Sequence, residues 1–367
     1  MKQFILSILI AFTTAGAWGT DYSKIDKQAA NVPGQLKTAP EIAAHLTAKL
    51  KSPVDKTRAI YYWIAHNIRY DTQAMGKGPQ TYTDPQQLVD EVLLRRKGVC
   101  GHFAELFNAM CHTVGIESYV VPGYTTNNGE PTGLSHAWNV VRINSRYYEI
   151  DATWAAGHFL DNSYKQEFDD QYFLVQPAGF IKSHIPFDPM LQFLDNPLTH
   201  KEIKAGDFSK LKARSHFNFA DSIKASQAMG KADRLARENL RITNAGITNR
   251  LIREYVENNR NYIASARYNE AVDEFNSGVR AFNLYGSGKG RLFKDLPGNR
   301  EKISDMLAAS KQKMEKAGNL LKAIDPAANG LRSQVRQLQS NIREVEDAIR
   351  SEQAEVEKWI LSGKGRR

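Results

Sequence analysis

Cysteine is nearly missing from these 367 residues: there are two, Cys100 and Cys111. That scarcity excludes a disulfide-built scaffold and any paired C-x-x-C zinc or redox motif. Cys100, His102, Cys111 and His112 also miss helical H-x-x-x-H spacing, so neither a metal nor a cofactor is expected. Beyond the first 20 residues no apolar run reaches membrane-spanning length, so no transmembrane span is expected. No repeat recurs at a fixed period, and no nucleic-acid motif is present, so nucleic acid is not expected as a partner. Excess positive charge is missing from the first half. Residues 1–200 hold 17 Lys+Arg and 19 Asp+Glu, a net of −2, whereas residues 201–367 hold 32 and 21, a net of +11. The basic part fits an anionic partner such as an envelope polymer, a lipid headgroup or an acidic protein, but a solvated helix face is the simpler and preferred reading.

What is present begins with an export signal. Lys2, the apolar stretch Phe4 to Phe12 and the small residues Ala15-Gly16-Ala17 read as a signal peptide over 1–19. No cysteine follows it to carry a lipid anchor. An exported (periplasmic or secreted) protein is the expectation, with a domain over 20–200 and a basic helical module over 201–367.

The first domain centres on Gly98-Val99-Cys100-Gly101-His102. Phe103, Leu106, Phe107, Met110 and Val114 then follow the i, i+3, i+4, i+7 stripe of a core-facing helix, and Gly115 stands where a left-handed cap would end it. Cys100 falls at the helix start, where free N–H groups and the helix dipole favour a thiolate. Cys111, eleven residues further along the same helix, lies roughly 16 Å away at 1.5 Å per residue. A disulfide needs Cα atoms within about 7 Å. Cys111 therefore reads as packing and Cys100 as a free thiol. Upstream, Thr38 with Glu41, Ser52-Pro53 and Thr83-Asp84-Pro85 read as helix starts. Downstream the period changes to 2. Ser118 to Tyr124 reads as a strand, and the runs 135–143 and 146–152 flank a two-residue turn at Asn144-Ser145. That turn sets a register in which opposed residue numbers sum to 289. It places His136 and Asp151 on one face as diagonal neighbours, roughly 7–8 Å apart at the backbone. A three-residue loop would put them on opposite faces.

Gly-Val-Cys at a helix start, Leu-Ser-His-Ala-Trp-Asn and Tyr-Tyr-Glu-Ile-Asp-Ala-Thr-Trp, in that order, resemble the transglutaminase-like superfamily. The stretch from Tyr172-Phe173-Leu174 to His184-Ile185-Pro186-Phe187-Asp188-Pro189 is similar to the tail of its kyphoscoliosis-peptidase-type members. The resemblance covers about 40–200. It implies a papain-like α+β core with an antiparallel sheet and a triad at Cys100, His136 and Asp151, acting through a thioester on a protein or peptide substrate. Water as acceptor would give hydrolysis, an amine transfer. His102 and Ala152 depart from the family's commoner residues, and with His102 the pair Trp138 and Trp154 is the candidate for substrate contact. Either tryptophan could equally be plain core. The competing reading is a catalytically inactive binding or scaffold protein that works through its helices.

After Pro197 the strand signals vanish. Helices are expected from about Asn244 to Phe282, broken by Tyr285-Gly286-Ser287-Gly288-Lys289-Gly290. Two heptad runs follow, Ile303 to Ile324 and Leu331 to Trp359, with Asp325-Pro326 and Asn329-Gly330 as a turn. The economical arrangement is an antiparallel coiled-coil hairpin over about 299–362; the alternative is a homodimer through the same seam.

Overall fold

In the computed structural model residues 21–75, 84–160, 163–212, 217–294, 296–326, 328 and 330–361 are described. The expected signal peptide, most of the loop after Asp71, and Asn329 lie outside them. No described helix is long and apolar enough to cross a membrane. The chain divides into two compact units, residues 1–224 with 241–252, and residues 225–240 with 253–367. The first therefore runs past the expected boundary at 200. Ile223 packs with Phe193, and Arg241 grips the buried Asp188 through Nε at 2.9 Å and Nη2 at 2.6 Å.

In the first unit, helices α1 (Ser23–Ala29), α2 (Ala39–Thr47) and α3 (Pro53–Asn67) lead to strand β1 (Arg69–Tyr70). The starts of α2 and α3 are the two read from sequence: Thr38 and Glu41 close a capping box, and Ser52 caps ahead of Pro53. Helix α4 (Pro85–Arg95) is capped by Asp84 and ends where Arg96 turns left-handed (φ 53°). Strand β2 (Lys97–Gly98) pairs with β1 and hands the chain to α5 (Cys100–Thr113), which Gly115 closes at φ 76°. Then come β3 (Ser118–Asn127), β4 (Glu130–Ile143) and β5 (Arg146–Ile150). The short elements α6 (Ala152–Ala156), β6 (His158–Leu160), β7 (Ser163–Lys165), α7 (Pro177–Phe180), β8 (His184–Pro186) and α8 (His200–Lys204) follow.

The main sheet is antiparallel in the order β5-β4-β3-β8. Its β4–β5 register is the one the two-residue turn dictates: Ile143 opposes Arg146 and Asn139 opposes Ile150, with Asn144 and Ser145 both at positive φ. Alternation along β4 divides the core. Val141 and Ile143 join α5, α3 and α2 on one face through Phe103, Phe107, Trp63 and Ile42, while Trp138 and Val140 join Phe180 and Phe193 on the other. One charge sits inside the helical layer. Arg58, with a side chain 2% exposed, pairs with Asp26 at 2.7 Å and with Asp170, and lies among the rings of Tyr22, Tyr61 and Phe173.

The second unit takes the remaining helices: part of α9 (Phe219–Gln227) and α10 (Lys231–Ala245), most of α11 (Arg250–Lys294), and α12 (Leu296–Lys322) and α13 (Arg332–Leu361). The heptad seam holds, since Ile303, Leu307, Met314 and Leu321 are buried against Leu338, Ile342, Ile349 and Val356. The unit is nevertheless a three-helix bundle rather than a two-helix hairpin. Helix α11 adds Ala271, Tyr285 and Leu292 to the same core. It runs antiparallel to α12, since Gly278 meets Ser310 and Glu274 meets Lys313, and parallel to α13, since Tyr285 meets Glu352 and Phe293 meets Trp359. The seam is thus covered within the chain.

The expected helix break at 285–290 does not occur. Buried Tyr285 donates to Glu352 at 2.8 Å, and Lys289 reaches Glu352 and Glu355 at 2.7 Å. These ties to α13 override the weak helix preference of three glycines.

Candidate active site

Cys100 is the first residue of α5, and it is half-buried with a free thiol. The first intrahelical bond is donated by the His102 N–H to the Val99 carbonyl at 2.8 Å. The amides of Cys100 and Gly101 precede it, at the positive end of the helix. Cys111 is fully buried, and burial pushes its thiol far up. The two cysteines form no disulfide.

His136 comes from β4, its side chain 9% exposed, and faces the Cys100 side chain, whose presence favours the charged ring. Its Nε2 lies 2.6 Å from Asp151 Oδ2. With Nε2 committed, Nδ1 is the nitrogen left for the thiol. Asp151 ends β5 and caps α6: its Oδ1 accepts the N–H groups of Thr153 at 2.8 Å and Trp154 at 3.0 Å. The cap fixes one oxygen and presents the other to the histidine. Burial disfavours charge on both partners, yet each charge stabilises the other more. Asp151 is held below the usual carboxylate range and His136 is raised to about 10. The structure thus brings Cys100, His136 and Asp151 together, with the His136–Asp151 hydrogen bond made and the Cys100 side chain beside the ring.

The three residues expected at the substrate lie differently. His102 is 2% exposed, and its Nδ1 accepts the Val99 N–H at 3.3 Å. It closes the helix start rather than facing a substrate, since a Cβ on Gly98 would meet it at 2.6 Å. Trp138 is 1% exposed and donates its Nε1–H to Glu149 Oε2 at 2.8 Å, which makes it core. Only Trp154 stays half-exposed, its ring centroid 5.7 Å from that of His136. Gly123 makes room beneath: a Cβ there would sit 2.5 Å from Trp138 and 2.3 Å from the Ile185 carbonyl.

Two further residues join the site. Tyr70 pairs with Gly98, two residues before the thiol, and burial followed by the charge of Cys100 pushes its hydroxyl up. His184 lies 3.1 Å from the same Asp151 Oδ2 through Nε2. Sequence placed His184 in a family tail without giving it a role. Its signal is topological, since β8 pairs with β3 and Thr125 faces His184. The ligand atoms of His136, Asp151 and His184 lie within 4.8 Å, the one such grouping among the described residues with room for a metal to be considered. Both imidazoles, however, converge on one oxygen at hydrogen-bond distance. An ion would have to break the 2.6 Å contact.

The Transglutaminase-like superfamily matches residues 40–152. The chain is 30% identical to the kyphoscoliosis peptidase of Mus musculus over 197 residues, which is 52% of this chain and 29% of that protein. It is 24% identical to hillarin of Drosophila melanogaster over 227 residues, 55% of this chain and 26% of that one. It thus spans under a third of the length of these relatives. Among solved structures, the periplasmic domain of TgpA from Pseudomonas aeruginosa aligns over 37% of this chain and 49% of its own, at 22% identity and a TM-score of 0.27. The matched segment, residues 40–152, is a transglutaminase-like domain, and it holds Cys100, His136 and Asp151.

Proposed function

We propose that this chain is an exported cysteine-dependent amide hydrolase or acyl transferase that works through a thioester on a protein or peptide substrate. The observation that carries the reading is the convergence of Cys100 on His136, whose Nε2 lies 2.6 Å from the fully buried Asp151 carboxylate. In it His136 takes the thiol proton, and the Cys100 sulfur attacks the amide carbon. The developing oxyanion faces the helix-start amides of Cys100 and Gly101. His136 then returns the proton to the leaving amine, and the C–N bond breaks as the thioester is left. Water or a second amine, deprotonated by the now neutral His136, attacks that thioester and releases the sulfur. Asp151 holds the ring in the tautomer this needs and stabilises its charged form. The export signal over 1–19 supports a periplasmic or secreted setting, and the +11 of residues 201–367 supports an anionic partner for the helical module.

Iodoacetamide labelling, mapped by peptide mass, tests the reading with buried Cys111 as internal control. Cys100 should be labelled selectively at pH 7, and His136→Ala should slow that labelling by about 10²-fold or more. Equal Cys100 rates in the two proteins would overturn it and leave a binding or scaffold role.

A further inference from the structure

The carboxylate of Asp151 is 0% exposed and meets four donors. Two backbone N–H groups reach Oδ1, and two imidazole nitrogens, His136 Nε2 at 2.6 Å and His184 Nε2 at 3.1 Å, reach Oδ2. A triad needs only one imidazole. We propose that His184 is a positioning residue of this site: as a neutral Nε2–H donor it shares Asp151 Oδ2 with His136, pinning the carboxylate's orientation and keeping it ionised. The proposal rests on the function proposed above.

The surroundings of His184 fix both its orientation and its charge. Its Nδ1 lies 2.9 Å from Ser183 Oγ, so with the proton on Nε2 the serine hydroxyl donates to Nδ1 in preference to the Phe180 carbonyl at 3.3 Å. The ring stacks on Phe180 at 3.9 Å between centroids, with Trp154 against it at 4.5 Å and Trp138 at 5.2 Å. Among the described residues, the titratable groups facing it are Asp151 and His136, with the Tyr172 ring 6.3 Å away. A second imidazolium there would face His136 across one carboxylate. Burial, the dominant influence, brings the His184 ring down to about 4, which leaves it neutral at working pH while His136 takes the charge. A neutral donor keeps Asp151 anionic without competing for the positive charge. Without it, Asp151 loses one of four hydrogen bonds and His136 loses a fixed acceptor.

The pH profile of Cys100 labelling by iodoacetamide reads this directly. His184→Phe keeps an aromatic ring between Phe180 and Trp154 but removes the donor; His184→Gln restores an N–H donor. The acid limb of the profile should move up by about one pH unit in His184→Phe and stay near wild type in His184→Gln. Both variants matching wild type, while His136→Ala changes the profile, would overturn the positioning role and leave the proposed function standing. A profile that His136→Ala does not change would overturn both. Should His184→Phe fail to fold, the wild-type protein still decides: imidazole ¹⁵N spectra at pH 7 should show His184 neutral with its proton on Nε2. A proton on Nδ1, or a charged ring, would overturn the proposal.

Discussion

The two units solve the same problem of burial with different chemistry. The helical bundle buries apolar side chains in a heptad rhythm, and its buried polar residues are uncharged apart from Glu238. The first unit buries ionisable groups throughout: Arg58, Asp71, Glu149, Asp151, His184 and Asp188 are all under 5% exposed. Each such burial opposes folding unless a partner offsets it, and apolar substitutes would pack more cheaply. Around Asp151 the burial serves the chemistry proposed above. The contrast teaches where function sits, because a fold that retains costly groups in one place is using them there.

The sharpest way to break the contrast is to remove a paired charge from the first unit. Arg58→Ala leaves Asp26 without its partner and opens the aromatic cage, and should cost about 3 kcal/mol, the low end for a buried pair because Asp26 is 17% and Asp170 55% exposed. Hydrogen exchange should quicken across α1 and α3. Exchange in residues 253–361 should not change, since none of the partners of Arg58 lies there; quickening there too would show that the two units share one stability.

Acid should separate the units next. All nine histidines precede residue 224, and the bundle has none. Burial lowers His102, His184 and His200, the second to about 4, so each takes up a proton less readily when folded than when unfolded. Stability of the first unit must therefore fall as pH drops from about 6.5 toward 4. Glu149 and Glu105 oppose this, because burial raises both carboxyls, Glu105 to about 7, and so favours the folded state at lower pH. His136, raised to about 10, is charged in both states across this window, and its stabilising contribution is lost only as pH climbs toward 10. The three imidazoles outnumber the two carboxyls, so a net loss is expected. Urea midpoints followed by Trp63, Trp138 and Trp154 fluorescence in a Trp359→Phe background should be lower at pH 5 than at pH 7, and a flat midpoint would contradict the assignment. Glu149→Gln, which can still accept from Trp138, should raise the midpoint at pH 8 and leave it nearly unchanged at pH 4.

What sequence made legible follows from how local each signal is. The register that brings His136 to Asp151 rests on two turn residues, Asn144 and Ser145, and needed nothing distant. Cys100 at a helix start was equally local. His184 was not: 33 residues separate it from Asp151, and the two meet only because β8 joins the sheet edge beside β3. His102 and Trp138 misled because residue type suggests a ligand contact, whereas burial is decided by which side of α5 and of β4 each residue occupies. In the bundle, periodicity placed the α12–α13 seam but not the third helix, since the contacts of α11 are spread over 45 residues with no clean heptad.

The tight crossing of α11 and α12 gives a milder test of packing in the bundle. A Cβ on Gly278 would meet Met314 Cε at 2.5 Å and Lys313 Cβ at 3.0 Å, and Ser310 Oγ donates to the Gly278 carbonyl at 2.8 Å. Gly278→Val should overpack this contact and cost about 1–3 kcal/mol, seen as a lower melting midpoint of the far-UV helical signal.

The smallest effect has the opposite sign. Gly286 lies in α11, and a Cβ added there would meet nothing within 4 Å. If tertiary ties through Tyr285 and Lys289 hold a continuous helix across the glycines, Gly286→Ala removes unfolded-state freedom and clashes with nothing. It should stabilise the bundle by about 0.5–1 kcal/mol. A chain that broke at these glycines would gain nothing from alanine, and would lose stability if the break used a left-handed residue. Helical ellipticity and the urea midpoint, followed at Trp359, measure the difference: a rise supports one helix from Arg250 to Lys294, and a fall restores the break that composition alone suggests.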